Sequence, residues 1–406
     1  MEKDEKIKQK DKFTKLTHKR GISLIVLIVT IIVIIILAAA VILTITKSNP
    51  VSSAKEATFK EDMSNMQDEL SMYLSKKYTD NPTSFDKSSV NLSGDSMVTE
   101  LPSTKKYKDK ISVVEGKLTL YDDKVNSDEK KWYIEVVGDS IIESIRPEWQ
   151  DTISKVKYGV PIPIGFTYKE GTKDTGLVIK DDKGNEFVWV PATKSTYAKD
   201  TSFPSYDNIK PTGDDTLPKG ITDETADVVK YGGFYIGRYE AGVPEGDTST
   251  SNKTGIPVSK QGATVWTNID YTNSKASAES MISNEYVQTG LLTGKAWDTV
   301  CHWIKSDDEL KDSRTYGNYN NSLAPANENS GTKRTAGFSE NWKVKNIYDL
   351  AGNVWEWTSE AYSSYFIDRG GSYVNDGSER PVSYRNYLNA SYMDDLMGFR
   401  PRLYIK

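Results

Sequence analysis

The longest apolar pattern in the chain covers residues 21–46, GISLIVLIVTIIVIIILAAAVILTIT, without one formal charge. As a helix rising about 1.5 Å per residue it reaches nearly 40 Å, enough to cross a hydrocarbon core of roughly 30 Å with some tilt. Strands of soluble proteins end after about 3–10 residues, and the apolar part of a cleaved secretory peptide is only about 7–15 residues long. The run therefore reads as a transmembrane helix. Behind it Phe59, Met63, Met66, Leu70 and Tyr73 recur at spacings of 4, 3, 4 and 3, with Lys60, Glu61, Asp62, Asp68 and Glu69 between them. That is one apolar stripe on an amphipathic helix, 47–80, although a short coiled-coil stalk would show the same pattern.

Asn81-Pro82 ends this helix, and the Ser, Thr and Asp of 83–105 predict a loop. Alternating residues at 111–114 and 117–121 flank Glu115-Gly116 as a hairpin, and the run at 132–137 predicts a further strand. Residues 81–150 thus read as a small α+β module without a catalytic group. From about 151 to 406 the pattern shifts to short apolar runs between Gly, Asn and aromatic residues, with strands at 160–166, 177–179, 187–190 and 233–240. The best helical patterns fall within 278–304. The turn at 181–185 is not an EF-hand, since Gly and Glu are missing from its sixth and twelfth positions.

Charge gives this layout a direction. The chain holds 52 Lys+Arg and 57 Asp+Glu, but residues 1–20 carry eight basic against four acidic groups, leaving 44 against 53 for the rest. Basic residues before the span place the 1–20 leader in the cytoplasm and the acidic body outside. Nothing in that body suggests a nucleic-acid partner. Two histidines, His18 and His302, and one cysteine, Cys301, exclude multi-histidine metal sites and any intramolecular disulfide.

The junction Lys19-Arg20-Gly21 before the apolar helix resembles a type IV prepilin leader, which implies cleavage after Gly21. Val26 stands where that family usually has Glu, so an uncleaved signal anchor and a processed minor pilin both remain open. A second resemblance covers roughly 160–406. The motifs NIYDLAGNVWEWT at 346–358, RGGSY at 369–373 and GFR at 398–400 resemble the formylglycine-generating enzyme, or sulfatase-modifying factor, family in order and spacing. It implies a C-type-lectin-like fold with little regular secondary structure. The expected fold class is α+β overall: an N-terminal transmembrane helix, a pilin-like helix-plus-sheet module and a lectin-like C-terminal domain.

Active members of that family oxidise a substrate cysteine with copper held by two cysteines. The matching positions here are Asn375 and Arg380, neither of which offers a thiolate, so no copper is expected. Cys301 lies within an apolar helical pattern and reads as a small buried hydrophobe, and the adjacent His302 projects about 100° away on a helix. The family resemblance also implies a structural calcium (Ca2+) at the side chains of Asp349 and Glu356 and the carbonyls of Gly352 and Val354. Capping of the loop by those carboxylates would explain the same residues. Trp355 and Trp357 read as core.

Between RGGS and GFR, thirteen of the twenty-five residues at 373–397 are Tyr, Asn, Asp or Ser. Tyrosine among small polar residues is the composition of adaptable binding surfaces. The framing also resembles, more weakly, the variable segment of lectin-fold proteins diversified by retroelements. The ligand-binding candidates are Tyr373, Asn375, Arg380, Tyr384, Arg385, Tyr387, Tyr392 and Asp394. The leading reading is a membrane-anchored, cell-surface binding or adhesion protein with a protein or glycan ligand. A formylglycine-generating-type oxidase and a minor pilin are the alternatives.

Overall fold

The computed structural model describes residues 50–211, 213, 215–323 and 330–406. The leader, the apolar run at 21–46 and Gly21 lie outside the described residues. Among the described residues no helix is long and apolar enough to cross a membrane. The chain divides into two compact units, Met1–Ile141 and Ile142–Lys406.

In the first unit, α1 spans Pro50–Asp80. Its stripe of Phe59, Met63, Met66 and Leu70 is buried against Met97, Leu101, Ile111, Val113, Leu118, Leu120 and Tyr133. The segment 83–105, expected as a loop, contains the short helix α2, Gly94–Glu100, whose Met97 is fully buried. The hairpin pairs β1, Ile111–Val114, with β2, Lys117–Tyr121, around Glu115 and Gly116, both at positive φ as a two-residue turn requires. The expected strand at 132–137 is instead helix α3, Ser127–Val136. Asn126 caps it by accepting from the Asp128 and Glu129 amides, and the Glu129 side chain accepts from the Asn126 amide. This reciprocal cap satisfies amides that a strand would have had to pair, and it overrides the β preference of Trp132, Tyr133 and Ile134. The short strand β3, Ile141–Ile142, completes the sheet on the free side of β2.

The second unit opens with the hairpin β4–β5, Ile153–Lys157 and Val160–Pro163. A six-stranded antiparallel sheet follows in the order β10-β17-β9-β8-β7-β6. Its strands are β6 Phe166–Glu170, β7 Val178–Asp181, β8 Glu186–Pro191, β9 Gly233–Gly237, β10 Val287–Leu291 and β17 Pro401–Ile405. Both faces of β8 and β9 are buried, which accounts for their continuous apolar runs. Helix α4, Glu224–Tyr231, leads into β9 through Gly232. The 278–304 stretch is not helical throughout. Helix α5, Tyr271–Met281, and helix α6, Gly294–Ile304, flank strand β10, which the C-terminal strand β17 recruits as its sheet neighbour.

The motif-bearing half builds a second sheet in the order β15-β14-β13-β16. Strand β13, Trp355–Tyr362, pairs antiparallel with β14, Tyr365–Arg369, and parallel with β16, Met397–Phe399. Strand β15, Arg385–Asn389, forms the outer edge beside β14. The two-strand ribbon β11–β12, Lys343–Val344 with Ile347–Tyr348, leads into the GNVWEW loop. Both units mix helix and sheet, so the class is α+β.

Candidate binding face

The sequence motifs fold into a buried polar lock. Gly352 sits at φ 77°, where a Cβ would collide with the Asn318 carbonyl, and Asn353 follows at φ 58°. Asn353 holds the left-handed turn by donating from Nδ2 to Glu240 and accepting on Oδ1 from Asn318. Arg400 of GFR then clasps Glu356 of GNVWEW, with Nε 3.1 Å from both oxygens and Nη2 2.7 Å from Oε1. Its remaining donors meet the Gly237 and Tyr348 carbonyls. Trp355 and Trp357 are buried in the adjoining core.

At the positions expected for calcium, three of the four carboxylate oxygens of Asp349 and Glu356 already accept hydrogen bonds. Glu356 is taken up by Arg400, and Asp349 Oδ2 accepts from the Gly337 amide. Asp349 Oδ1 is buried without a hydrogen-bond partner. Among the described residues no group of three or more His, Cys, Asp or Glu side chains is placed to hold a metal. Burial, followed by the neighbouring Asp349 and Glu356 charges, pushes Glu240 far above the usual carboxylate range, and burial pushes Asp349 up to about 7.

A second buried network anchors the RGGS arginine. Arg369 pairs with Asp298 at 2.8 Å and Glu360 at 3.4 Å, and Arg385 pairs with the same two carboxylates. Lys199 approaches Glu360 at 3.5 Å and Asp215 at 3.1 Å. This corrects one ligand-binding expectation, because Arg385 is 1% exposed and spends its guanidinium inside the fold. Tyr384, 5% exposed, is likewise core, lying against Trp355 at 6.2 Å. The physical reason is the cover that α6 provides over this end of the sheet. Arg385 lies opposite Arg369 in the β14–β15 ladder, so both side chains face inward toward α6.

The positions that hold copper ligands in the resembling family do other work. Asn375 closes its own turn by accepting from the Ser372 amide and hydroxyl. Arg380 donates to the Glu379 carbonyl and lies 4.4 Å above the Tyr384 ring. Cys301 is fully buried in α6, and burial raises its thiol to about 12, so it is held as an unreactive thiol.

What remains outside is a tyrosine face. Tyr387 on β15 is met by Tyr365 at 5.1 Å, Tyr206 at 5.6 Å and Tyr362 at 5.8 Å between ring centroids. Tyr206 and Tyr362 are 46% and 38% exposed. Three hydroxyls from the 373–397 segment each donate to an aspartate: Tyr387 to Asp207 at 3.0 Å, Tyr392 to Asp394 at 2.6 Å and Tyr373 to Asp395 at 3.2 Å. The Asp207 and Asp394 bonds are the first cause of the raised pKa of Tyr387 and Tyr392, the latter to about 12. Of the eight candidates, Tyr387 joins the ring cluster, and Tyr373, Tyr392 and Asp394 take part in the other two Tyr–Asp hydrogen bonds. Tyr206, Tyr362, Tyr365 and Asp207 were not anticipated. Tyr362-Ser-Ser-Tyr365 was a legible signal directly after the motif, whereas the loop carrying Tyr206 and Asp207 is about 180 residues from Tyr387 and meets it only through folding.

Residues 302–402 match the sulfatase-modifying factor enzyme 1-like domain family. That stretch contains the GNVWEW, RGGS and GFR motifs and most of the tyrosine face, so the second unit carries a domain of this kind. Two solved structures are similar. One is Treponema denticola variable protein 1, at 14% identity over 59% of this chain and 99% of that one, with a TM-score of 0.33. The other is PvdO from Pseudomonas aeruginosa, at 19% identity over 56% and 97%, with a TM-score of 0.35. No curated protein matches in sequence.

Proposed function

We propose that the chain is a membrane-anchored, outward-facing binding or adhesion protein, and that its sulfatase-modifying-factor-like domain presents ligand contacts instead of oxidising cysteine. The observation that carries this is the ring cluster of Tyr362, Tyr365 and Tyr387 on the motif-bearing sheet with Tyr206 from a neighbouring loop, of which Tyr206 and Tyr362 are exposed and the other two half-buried. Clustered tyrosines offer large contact area at little entropic cost. Asn375 and Arg380 at the copper positions, with Cys301 sealed in the core, speak against the oxidase. The charge-free run 21–46 and the basic leader support the anchor.

Oxygen consumption with copper and a cysteine-bearing sulfatase-type peptide tests the catalytic half of this reading, and turnover above a metal-only blank overturns it. Carbonate extraction of membranes tests the anchor: the chain is expected to stay in the pellet. A pilin-type assembly is a second reading, favoured by the 31-residue helix packed on a three-stranded sheet. A mature amino terminus at Ile22, read by mass spectrometry, would support it, and an intact residue 1 would remove it.

A further inference from the structure

Arginines compensate most buried carboxylates of the second unit: Asp298 and Glu360 through Arg369 and Arg385, Glu356 through Arg400, Glu224 through Arg402. A guanidinium keeps its charge in a protein, so these pairs are chemically inert. Lys199 differs, because a desolvated amine can give up its proton and attack. Its side chain is 9% exposed and lies against the buried side chains of Asp215 and Glu360. Nζ donates to the Gly213 carbonyl at 2.7 Å and stands 3.1 Å from Asp215 Oδ1 and 3.5 Å from Glu360 Oε1. Among the described residues neither Asp215 oxygen accepts a hydrogen bond, although both are buried, whereas a structural carboxylate in such a place is normally held by donors. Burial, reinforced by the Glu360 charge, pushes Asp215 up to about 6 against the pull of Lys199, which brings its neutral acid within reach near pH 7.

We propose that the side chains of Lys199 and Asp215 join in an intramolecular amide bond, with Glu360 carrying the proton. A proton first passes from the Lys199 ammonium to the Asp215 carboxylate, leaving an amine beside a carboxylic acid, the neutral forms that burial favours. The Nζ lone pair then forms the new bond to Asp215 Cγ. Glu360 takes the proton that Nζ sheds and returns it to the departing hydroxyl, the C–O bond breaks, and one water leaves. Ammonium and carboxylate thus become amide and water, Glu360 ends as it began, and no oxidant, reductant or co-reactant is needed. Holding the two groups in contact makes the step effectively unimolecular, and the closed site keeps out the water that would reverse it. The product removes one cation and one anion together, so Arg369 and Arg385 still balance Asp298 and Glu360. The bond ties the loop after β8 to the segment before α4, both resting on Glu360 of β13.

The test is mass spectrometry of the full chain, purified folded and then denatured, followed by trypsin. Trypsin does not cut at an acylated lysine, and Lys210 is followed by Pro211, so the linked chain should yield residues 195–219 as one peptide, lighter than its sequence by one water. Lys199→Arg keeps the charge but cannot condense, and should give full mass and free cleavage at 199. Glu360→Gln keeps the shape of the site without the proton carrier. Where it melts like the parent, the linked peptide should accumulate roughly a hundredfold more slowly. The parent measurement needs no variant, so it decides even if a substitution prevents folding. Cleavage at Lys199 with full mass in the folded parent overturns the proposal, as does a lost water that maps to another peptide. Linkage at the parent's rate in a folded Glu360→Gln chain overturns the part given to Glu360.

Discussion

Replacing Arg385 by Ala separates two accounts of one residue. As an exposed ligand contact its loss would leave stability within about 0.5 kcal/mol of the parent. In the fold, its guanidinium meets Asp298 and lies 3.3 Å from Glu360, and Nη1 donates to the Asp200 carbonyl at 2.9 Å. Three cations, Lys199, Arg369 and Arg385, face three carboxylates, Asp215, Asp298 and Glu360. Removing one leaves a net negative charge in a site closed to water, a change that costs about 3–5 kcal/mol. The unit Ile142–Lys406 has 265 residues, counting both ends, and unfolds with an entropy of about 2.1 cal/mol/K per residue. The slope is then about 0.56 kcal/mol per degree, so the melting temperature should fall by about 5–9 °C. Differential scanning calorimetry of the intact chain reads this directly. Arg385→Leu combined with Asp298→Asn should recover part of the loss, because both partners of the ion pair are then neutral. A fall of less than about 1 °C in Arg385→Ala would refute the buried network.

Asp368 supplies a pH signature. It is fully buried, accepts from Asn386 Nδ2 at 3.1 and 3.2 Å, and burial raises it from 3.8 to about 7. The folded state therefore holds a proton that the unfolded chain releases near 3.8, so this contribution to stability is complete below that pH, fades as pH rises toward 7, and is gone above it. Asp368→Asn should flatten the decline, by up to about 4 kcal/mol between pH 4 and 8, and an unchanged slope in denaturant titrations would count against the burial. Cys301, raised to about 12, should resist iodoacetamide in the native chain at pH 8 and react on unfolding; native alkylation at the rate of a free thiol would contradict its placement. Because Arg400 occupies Glu356, millimolar calcium or a chelator should leave the melting temperature unchanged, and a rise of several degrees with calcium would mean that a cation enters beside Asp349.

Much of this organisation is written locally. The stripe of Phe59, Met63, Met66 and Leu70, the turn at Glu115-Gly116 and the glycines of the motifs are short-range patterns whose meaning does not depend on distant residues. The apolar run at 21–46 is also readable from the chain alone, as is the absence of cysteine at 375 and 380, where the resembling family carries its copper ligands. Local patterns were misleading where two signals competed. At 127–136 the Asn126–Glu129 cap prevailed over a β-rich run, and at 287–291 a strand formed inside a helical stretch because β17 offered it a ladder.

The binding face shows the boundary most clearly. Composition marked 373–397 as tyrosine-rich, but Arg385 and Tyr387 share one face of β15, and only what packs over that face decides which of them is covered. Arg385 and Tyr384 went inward to charges and rings contributed by other segments, and Tyr387 went outward to meet Tyr206 and Asp207 from a loop about 180 residues earlier. Local elements and motifs could be read along the chain, because they are properties of neighbouring residues. Which polar groups are neutralised inside and which stand on the surface follows from folding, because charge compensation is a matter of distance in space.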